Sequence, residues 1–248
     1  MSVLGLIPAR AGSKSIPRKN VRRLAGYPLI AYSVAIAKIS KSIGRVIVST
    51  DEKYIADIAK DYGAEVPFLR PGELAEDTTQ DLPVFQHALK WLQENESYCP
   101  EIIVHLRPTN PFRCAADIDS AVEVLREHPT AHSVRGVSLP LTSPYKMYRI
   151  KDDRFIEPLF IKEHPEAHNM PRQELPIVYR GNGAIDVVRR DTIMGLNSMT
   201  GYNILPWIID VDRCVDIDTP DDWDYAEWLV EIKGRKLPPI ASDPCSFS

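Results

Sequence analysis

The chain has 248 residues, with 30 Lys and Arg against 34 Asp and Glu for a formal charge of -4, and 26% charged and 44% hydrophobic residues. That length and mixed composition suit one dominant α/β core, and the lack of a basic excess argues against a general nucleic-acid binder. Cys99, Cys114, Cys214 and Cys245 are widely scattered with no CxxC and no HExxH, so neither a disulfide framework nor a closely spaced zinc site is expected.

Val3 to Pro8 reads as a buried strand, followed by a polar turn from Ala9 to Asn20 and a helix over Pro28 to Ile39. Arg10 and Lys14 interrupt the apolar start too early for a signal peptide or membrane span, so a cytoplasmic protein without a membrane partner is expected. Arg45 to Thr50 is the next strand and Glu52 to Tyr62 the next helix, with Gly63 placed to end it in the left-handed conformation. Glu65 to Leu69 reads as a third strand, Pro83 to Gln93 as a third helix and Glu101 to Leu106 as a fourth strand. The strands are nearly continuous in apolar residues, as parallel strands covered on both faces are. The expected fold is therefore a Rossmann-like, mostly parallel open sheet, with its site beyond the carboxyl ends of the strands.

Residues 133–138 extend this sheet, after which Pro140, Pro144, Pro158, Pro165, Pro171 and Pro176 break the pattern. A proline-rich inserted arm or subdomain over 140–180 is expected, with short strands at Lys146 to Arg149 and Arg154 to Ile156. Regular structure returns at Ala184 to Val188, at Ile208 to Asp210 and in the segment ending Val215-Asp216-Ile217-Asp218. Pro220 to Ile232 reads as a helix capped by Thr219, with Asp221 and Asp222 in its first turn. Residues 1–233 form the expected domain, and 234–248 a flexible tail.

Two patterns carry chemistry. Arg10, Gly12, Ser13, Lys14, Lys19 and Asn20 place cations, polar groups and a glycine directly after a buried strand, as a phosphate-binding turn requires, although neither GxxxxGK[ST] nor GxGxxG is present. Composition alone allows an ordinary solvated turn. Asp216 and Asp218 stand at i and i+2, so in an extended strand both carboxylates leave one face about 6–7 Å apart, a spacing that suits a divalent cation. Strand-edge acids kept in water are the alternative.

These motifs belong to a larger set: IPARAGSKSIPRKN at 7–20, VIVSTDEKYIADIAKDYGAEVPFLRP at 46–71, LRPTNPFR at 106–113, YRGNGAIDVVRRD at 179–191 and VDIDTPDDW at 215–223. In sequence and order they resemble the N-acylneuraminate cytidylyltransferases, or CMP-sialic acid synthetases, and more distantly the 3-deoxy-manno-octulosonate cytidylyltransferases. The resemblance implies transfer of CMP from CTP to an acidic sugar, a nine-carbon ulosonic acid such as N-acylneuraminate, with release of pyrophosphate. Another ulosonic acid, a phosphonate acceptor and a non-catalytic CTP-binding regulator are the alternatives. It assigns Arg10 and Lys19 to charge stabilisation at the triphosphate, with Gly12, Ser13, Lys14 and Asn20 beside them and Arg70 toward the cytidine. Asp216 and Asp218 become ligands of magnesium or another divalent ion. The acceptor is assigned to Arg107, Thr109, Asn110, Tyr179, Arg180 and Asn182, with Lys146 and Arg172 as weaker candidates. The sialic acid enzymes usually carry glutamine where this chain has Arg107, which puts the acceptor's identity in question. The resemblance also implies a homodimer in which the arm approaches the partner's site.

Overall fold

The computed structural model describes residues 2–162 and 164–240. In chain order these include β1 (Val3–Pro8), β2 (Arg23–Leu24), β3 (Tyr27–Pro28), α1 (Leu29–Ile39), β4 (Arg45–Ser49), α2 (Lys53–Asp61), α3 (Asp81–Glu96) and β5 (Ile102–His105). Next come α4 (Ala115–Glu127), β6 (Ser133–Ser138), β7 (Tyr148–Lys151), β8 (Phe155–Pro158), β9 (Arg180–Arg189), α5 (Arg190–Met194), β10 (Ile204–Ile208) and α6 (Pro220–Glu231). Of the expected tail, residues 241–248, with Cys245, lie outside the described residues.

The central sheet has six strands in the order β10-β6-β9-β5-β1-β4. β9 runs antiparallel to both of its neighbours, while the other pairings are parallel. The expected mostly parallel α/β sheet is thus what the chain forms. Successive β1 side chains leave opposite faces. Val3 and Ile7 pack with Ile30 and Val34 of α1 and with Ile118 and Val122 of α4, whereas Leu4 and Leu6 pack with Phe85 and Leu89 of α3. A third cluster lies off the sheet and joins Ile16, from the turn after β1, to Tyr32 of α1, Ile217 and Trp223 of α6.

Several boundaries differ from the sequence reading for identifiable reasons. Residues 65–69 make only a lone bridge, Ile47 to Glu65, because Pro67 cannot donate to a ladder. The expected strand at Ile208 to Asp210 lies earlier, at β10, where edge position tolerates Pro206. Val215 to Asp218 forms no ladder, although the Ile217 N–H donates to the Thr109 carbonyl at 2.8 Å. β9 is longer than expected, and α4 is a helix the sequence reading did not identify. Gly63 does adopt a left-handed φ of 89°, and Thr219 caps α6 in a reciprocal capping box with Asp222. Between β6 and β9, residues 139–179 hold short 3-10 turns and the antiparallel β7-β8 hairpin, which belongs to no larger sheet.

β4 and β5 lie on opposite sides of β1, so the direction of winding reverses there. An open α/β sheet presents its ligand crevice at such a reversal, beyond the carboxyl ends of the strands.

Candidate active site

A cleft of about 610 Å³ opens at that point, lined by the loop after β1, the segment 70–84, the loop after β5 and the acid segment before α6. Arg10, Ser13, Lys14, Lys19, Asn20, Arg70, Arg107, Thr109, Asp216 and Asp218 all line it. The sheet order divides it into a β1/β4 side, carrying the basic loop and Arg70, and a β5/β9 side, carrying Arg107 and Thr109, with Asn110 buried behind them.

On the β1 side the loop is held by its backbone. The Ala11 N–H donates to Asp51 at 3.0 Å and Asn20 Nδ2 donates to the Arg10 carbonyl at 2.9 Å, while Ile16 is buried in the third cluster. This leaves Arg10 and Lys14 projecting. Arg10 Nη1 pairs with Asp77 at 2.6 Å, and Lys14 pairs with the same carboxylate. Lys14 and then Arg10 hold the Asp77 carboxyl below its ordinary range. Lys19 is far more enclosed, its side chain 12% exposed against 81% for Lys14, and it donates to the Ile217 carbonyl and to Asp218, both at 2.9 Å. Arg70 is buried next to Asp51, 3.6 Å away, and burial lowers its pKa against the pull of that carboxylate. Its Nε and Nη2 are closed off from solvent and make no hydrogen bond, with Nη2 facing Asp51, so Arg70 forms part of the cleft wall.

The acid pair sits where the two sides meet. Asn110 Nδ2 donates to Asp216 at 2.9 Å, and burial, with Asp218 adding repulsion, raises the Asp216 pKa. Two neighbouring carboxylates are hard oxygen donors that a divalent cation would stabilise together. Among the described residues no group of three or more His, Cys, Asp or Glu side chains forms a metal site, so phosphate oxygens and water would complete the shell. Magnesium tolerates that arrangement.

On the β5 side the charges are internally balanced. Arg107 Nη1 donates to Asp186 and Nη2 to Asp81 at 3.2 Å. Burial works against its charge, yet Asp186 and Asp81 outweigh it and raise the pKa. Arg113 is buried and donates to the carbonyls of Ala184 at 2.7 Å, Arg107 at 2.7 Å and Asn110 at 2.8 Å. Burial, with repulsion from Arg107, pulls its pKa down to about 9. It ties the β5 loop to β9.

Asn182, expected beside the acceptor, is turned into the sheet. Its Nδ2 donates to Ser138 at 2.9 Å and its Oδ1 accepts from the Ala184 N–H at 3.1 Å. A Cβ on Gly136 would lie 2.6 Å from that Oδ1, so the irregular pairing of β6 with β9 there needs glycine. Lys146 donates to the Met170 carbonyl at 2.7 Å and Arg172 to the Pro140 carbonyl at 3.0 Å, both within the 139–179 segment. Tyr179 and Arg172 line a separate groove, and neither they nor Lys146, Arg180 or Asn182 line the main cleft. Asp77 and Asp81, which line the cleft, and Asp186, which pairs with Arg107 behind it, are residues the sequence reading missed. The available signal is the position of Asp81 at the start of α3.

The family model described as cytidylyltransferase matches residues 4–176. The chain belongs to the cytidylyltransferase family. The pseudaminic acid cytidylyltransferase of Campylobacter jejuni subsp. jejuni serotype O:2 is 42% identical to this cytidylyltransferase over 94% of the chain and 97% of the relative. The CMP-N,N'-diacetyllegionaminic acid synthase of Legionella pneumophila is 34% identical over 96% of the chain and 100% of its own length. The N-acylneuraminate cytidylyltransferase of Escherichia coli O18:K1:H7 is 30% identical over 94% of the chain and 53% of the relative. In fold, the cytidylyltransferase is similar to CMP:2-keto-3-deoxy-manno-octonic acid synthetase complexed with CTP. Their TM-score is 0.69 at 17% identity, over 93% of this chain and 98% of the other.

Proposed function

We propose that this cytidylyltransferase transfers CMP from CTP to the anomeric hydroxyl of a nine-carbon ulosonic acid. The observation that carries the reading is the single cleft at the reversal beside β1, which joins a projecting basic loop to a carboxylate pair. The acceptor class is supported by relatives named for pseudaminic, N,N'-diacetyllegionaminic and N-acylneuraminic acids.

In this reading the hydroxyl oxygen attacks the α-phosphorus, the bond to the β-phosphate bridging oxygen breaks, and pyrophosphate leaves as the hydroxyl proton passes to water or a carboxylate. Arg10 and Lys19 meet the charge that develops on the phosphate oxygens, where fixed donors act with little reorganisation. Lys14 and Ser13 hold the outer phosphates, and Arg70, enclosed beside Asp51, brings its charge to the cytidine side. Asp216 and Asp218 would hold magnesium, which when bound offsets phosphate repulsion and aids the leaving group. Asn110 holds the Asp216 carboxylate in place by its hydrogen bond.

We further place the enzyme in the cytoplasm, where CTP is supplied; among the described residues no helix is long and apolar enough to cross a membrane. We also read residues 140–180 as an arm that meets a second copy of the chain in a homodimer. Exposed Ile150, Phe155 and Ile156 on the hairpin support this.

The test is incubation with magnesium, each nucleoside triphosphate and a panel of pseudaminic, legionaminic and N-acetylneuraminic acids, with mass detection of the CMP adduct and of pyrophosphate. CTP should be preferred and at least one acid converted. CTP binding without an adduct from any acid would favour a nucleotide-binding regulator instead.

A further inference from the structure

The β5 side of the cleft holds a charge cluster that phosphate binding does not use. Arg107 spans two carboxylates, Asp186 and Asp81. Asp186 is anchored in β9 with its side chain 12% exposed, and Arg135 approaches its other oxygen at 3.6 Å. His105 lies buried at the end of β5, its Nδ1 3.9 Å from Asp81. Burial, with Arg107, Arg113 and Arg135 opposing protonation, drives its pKa well below the usual range, so the imidazole adds no charge. Asp81 is the open member of the cluster: its side chain is 44% exposed and lines the cleft.

We propose that Asp81 contacts the acceptor, taking a hydroxyl or acylamino N–H donor from it, and that Arg107 is the positioning residue that holds Asp81 in place. This rests on the function proposed above. An ionised carboxylate has about four lone-pair sites, and one bond from Arg107 leaves others for a ligand. Arg107, by contrast, already has each terminal nitrogen directed at a carboxylate, and a third anion beside it would also meet Asp81.

The location fits the acceptor. Its reacting hydroxyl must approach the phosphate held near Asp216, and Gly183 marks where Asp216 and Arg107 come together. At a left-handed φ of 67°, Gly183 carries no side chain where a Cβ would stand 3.4 Å from Asn110 Nδ2, 3.7 Å from Asp216 Oδ2 and 3.8 Å from Arg107 Nη1. Asp216, Arg107 and Asp81 line the same cleft, so a ligand held beside Asp216 shares it with Arg107 and its partner Asp81. Such a site favours an acceptor with a donor at that point and repels one that places its carboxylate there.

Steady-state kinetics of the intact enzyme with CTP and its best acceptor from the panel provide the test, using Asp81→Asn, Arg107→Gln, Arg107→Lys and the double variant Asp81→Asn/Arg107→Gln. Asp81→Asn should raise acceptor KM at least tenfold and leave CTP KM within twofold. Arg107→Gln should move acceptor KM in the same direction, Arg107→Lys should recover part of the loss, and the double variant should be no worse than Asp81→Asn, since the two act as one unit. If Arg107 instead gripped the acceptor's carboxylate, Asp81→Asn would free that cation and lower acceptor KM, which would overturn the proposal. Unchanged acceptor KM in both single variants would do the same. Should Arg107→Gln fail to fold, the sign of the Asp81→Asn effect decides alone, with Asp81→Ser in its place if the amide is not tolerated. A parent enzyme that forms no CMP adduct overturns the proposed function itself, whereas an active parent with unresponsive variants overturns only this inference.

Discussion

Lys14 and Arg113 are cations only a few residues beyond the ends of adjacent parallel strands, yet they answer to different partners. Lys14 extends into solvent and meets one exposed carboxylate, Asp77. Arg113 is buried and spends its guanidinium on the backbone carbonyls of the β5 loop and β9. The two sides of the cleft repeat this contrast in part: on the β1 side Arg10 and Lys14 project from a loop while Lys19 and Arg70 are enclosed, and on the β5 side charge is consumed in holding the wall together. Cationic residue type in sequence therefore does not distinguish a group that binds anions from one that builds the pocket.

The contrast is open to test, beginning with the largest effect. Arg113→Ala leaves several buried carbonyls without donors and should cost roughly 3–5 kcal/mol of folding stability, read by urea denaturation. Arg10→Ala should leave stability within about 1 kcal/mol of the parent but lower kcat/KM for CTP by roughly 10²-fold, as loss of one charge-stabilising donor does. If the two variants exchanged these behaviours, the division of labour across the cleft would be wrong.

A subtler probe lies beneath the β1 side. Tyr32 donates to the Leu24 carbonyl at 2.6 Å within the third cluster, and burial, with Tyr27 adding to it, pushes its phenol up to about 12. The folded state thus keeps this proton more tightly than the unfolded chain. Its stabilising contribution is complete below about pH 10 and fades as pH rises toward 12, at most roughly 2–3 kcal/mol. Tyr32→Phe should flatten the alkaline loss of stability in that window, measured by thermal melts from pH 9 to 12. The smallest expected effect concerns Asp77, which pairs with the two cations assigned to the triphosphate. Asp77→Asn should lower CTP KM about two- to fivefold without changing acceptor KM; a higher CTP KM would mean that the carboxylate aligns the loop rather than competing with the nucleotide.

The β1 side was the more legible in sequence because its information is local. A buried strand, a small polar turn and four basic residues lie within residues 3–20, and a turn after a strand has few places to go. The Asp216-Ile217-Asp218 alternation was equally local, although the segment forms no ladder and Ile217 is anchored by a helix and by one bond to the β5 loop. The β5 side was hidden because its partners are remote in the chain. Arg107 is 79 residues from Asp186 and 26 from Asp81, and no periodicity announces such a pair. Asn182 misled for a related reason: a buried amide between Ser138 and Ala184 looks, in one dimension, like an amide facing a ligand. α4 was legible too: Ile118, Ala121, Val122 and Leu125 recur at i, i+3, i+4 and i+7 on the face it buries, a signal the sequence reading passed over.

The antiparallel course of β9 reaches beyond the geometry of the sheet. Ser138, the last residue of β6, is paired directly with Arg180, the first residue of β9, so the segment between them leaves and re-enters the sheet on a single rung. An excursion closed in this way can lengthen, shorten or be exchanged for another without altering the order of any strand or the loops that line the cleft. The fold is thereby modular at one point: the order of the six strands is set without reference to what the span between Ser138 and Arg180 holds.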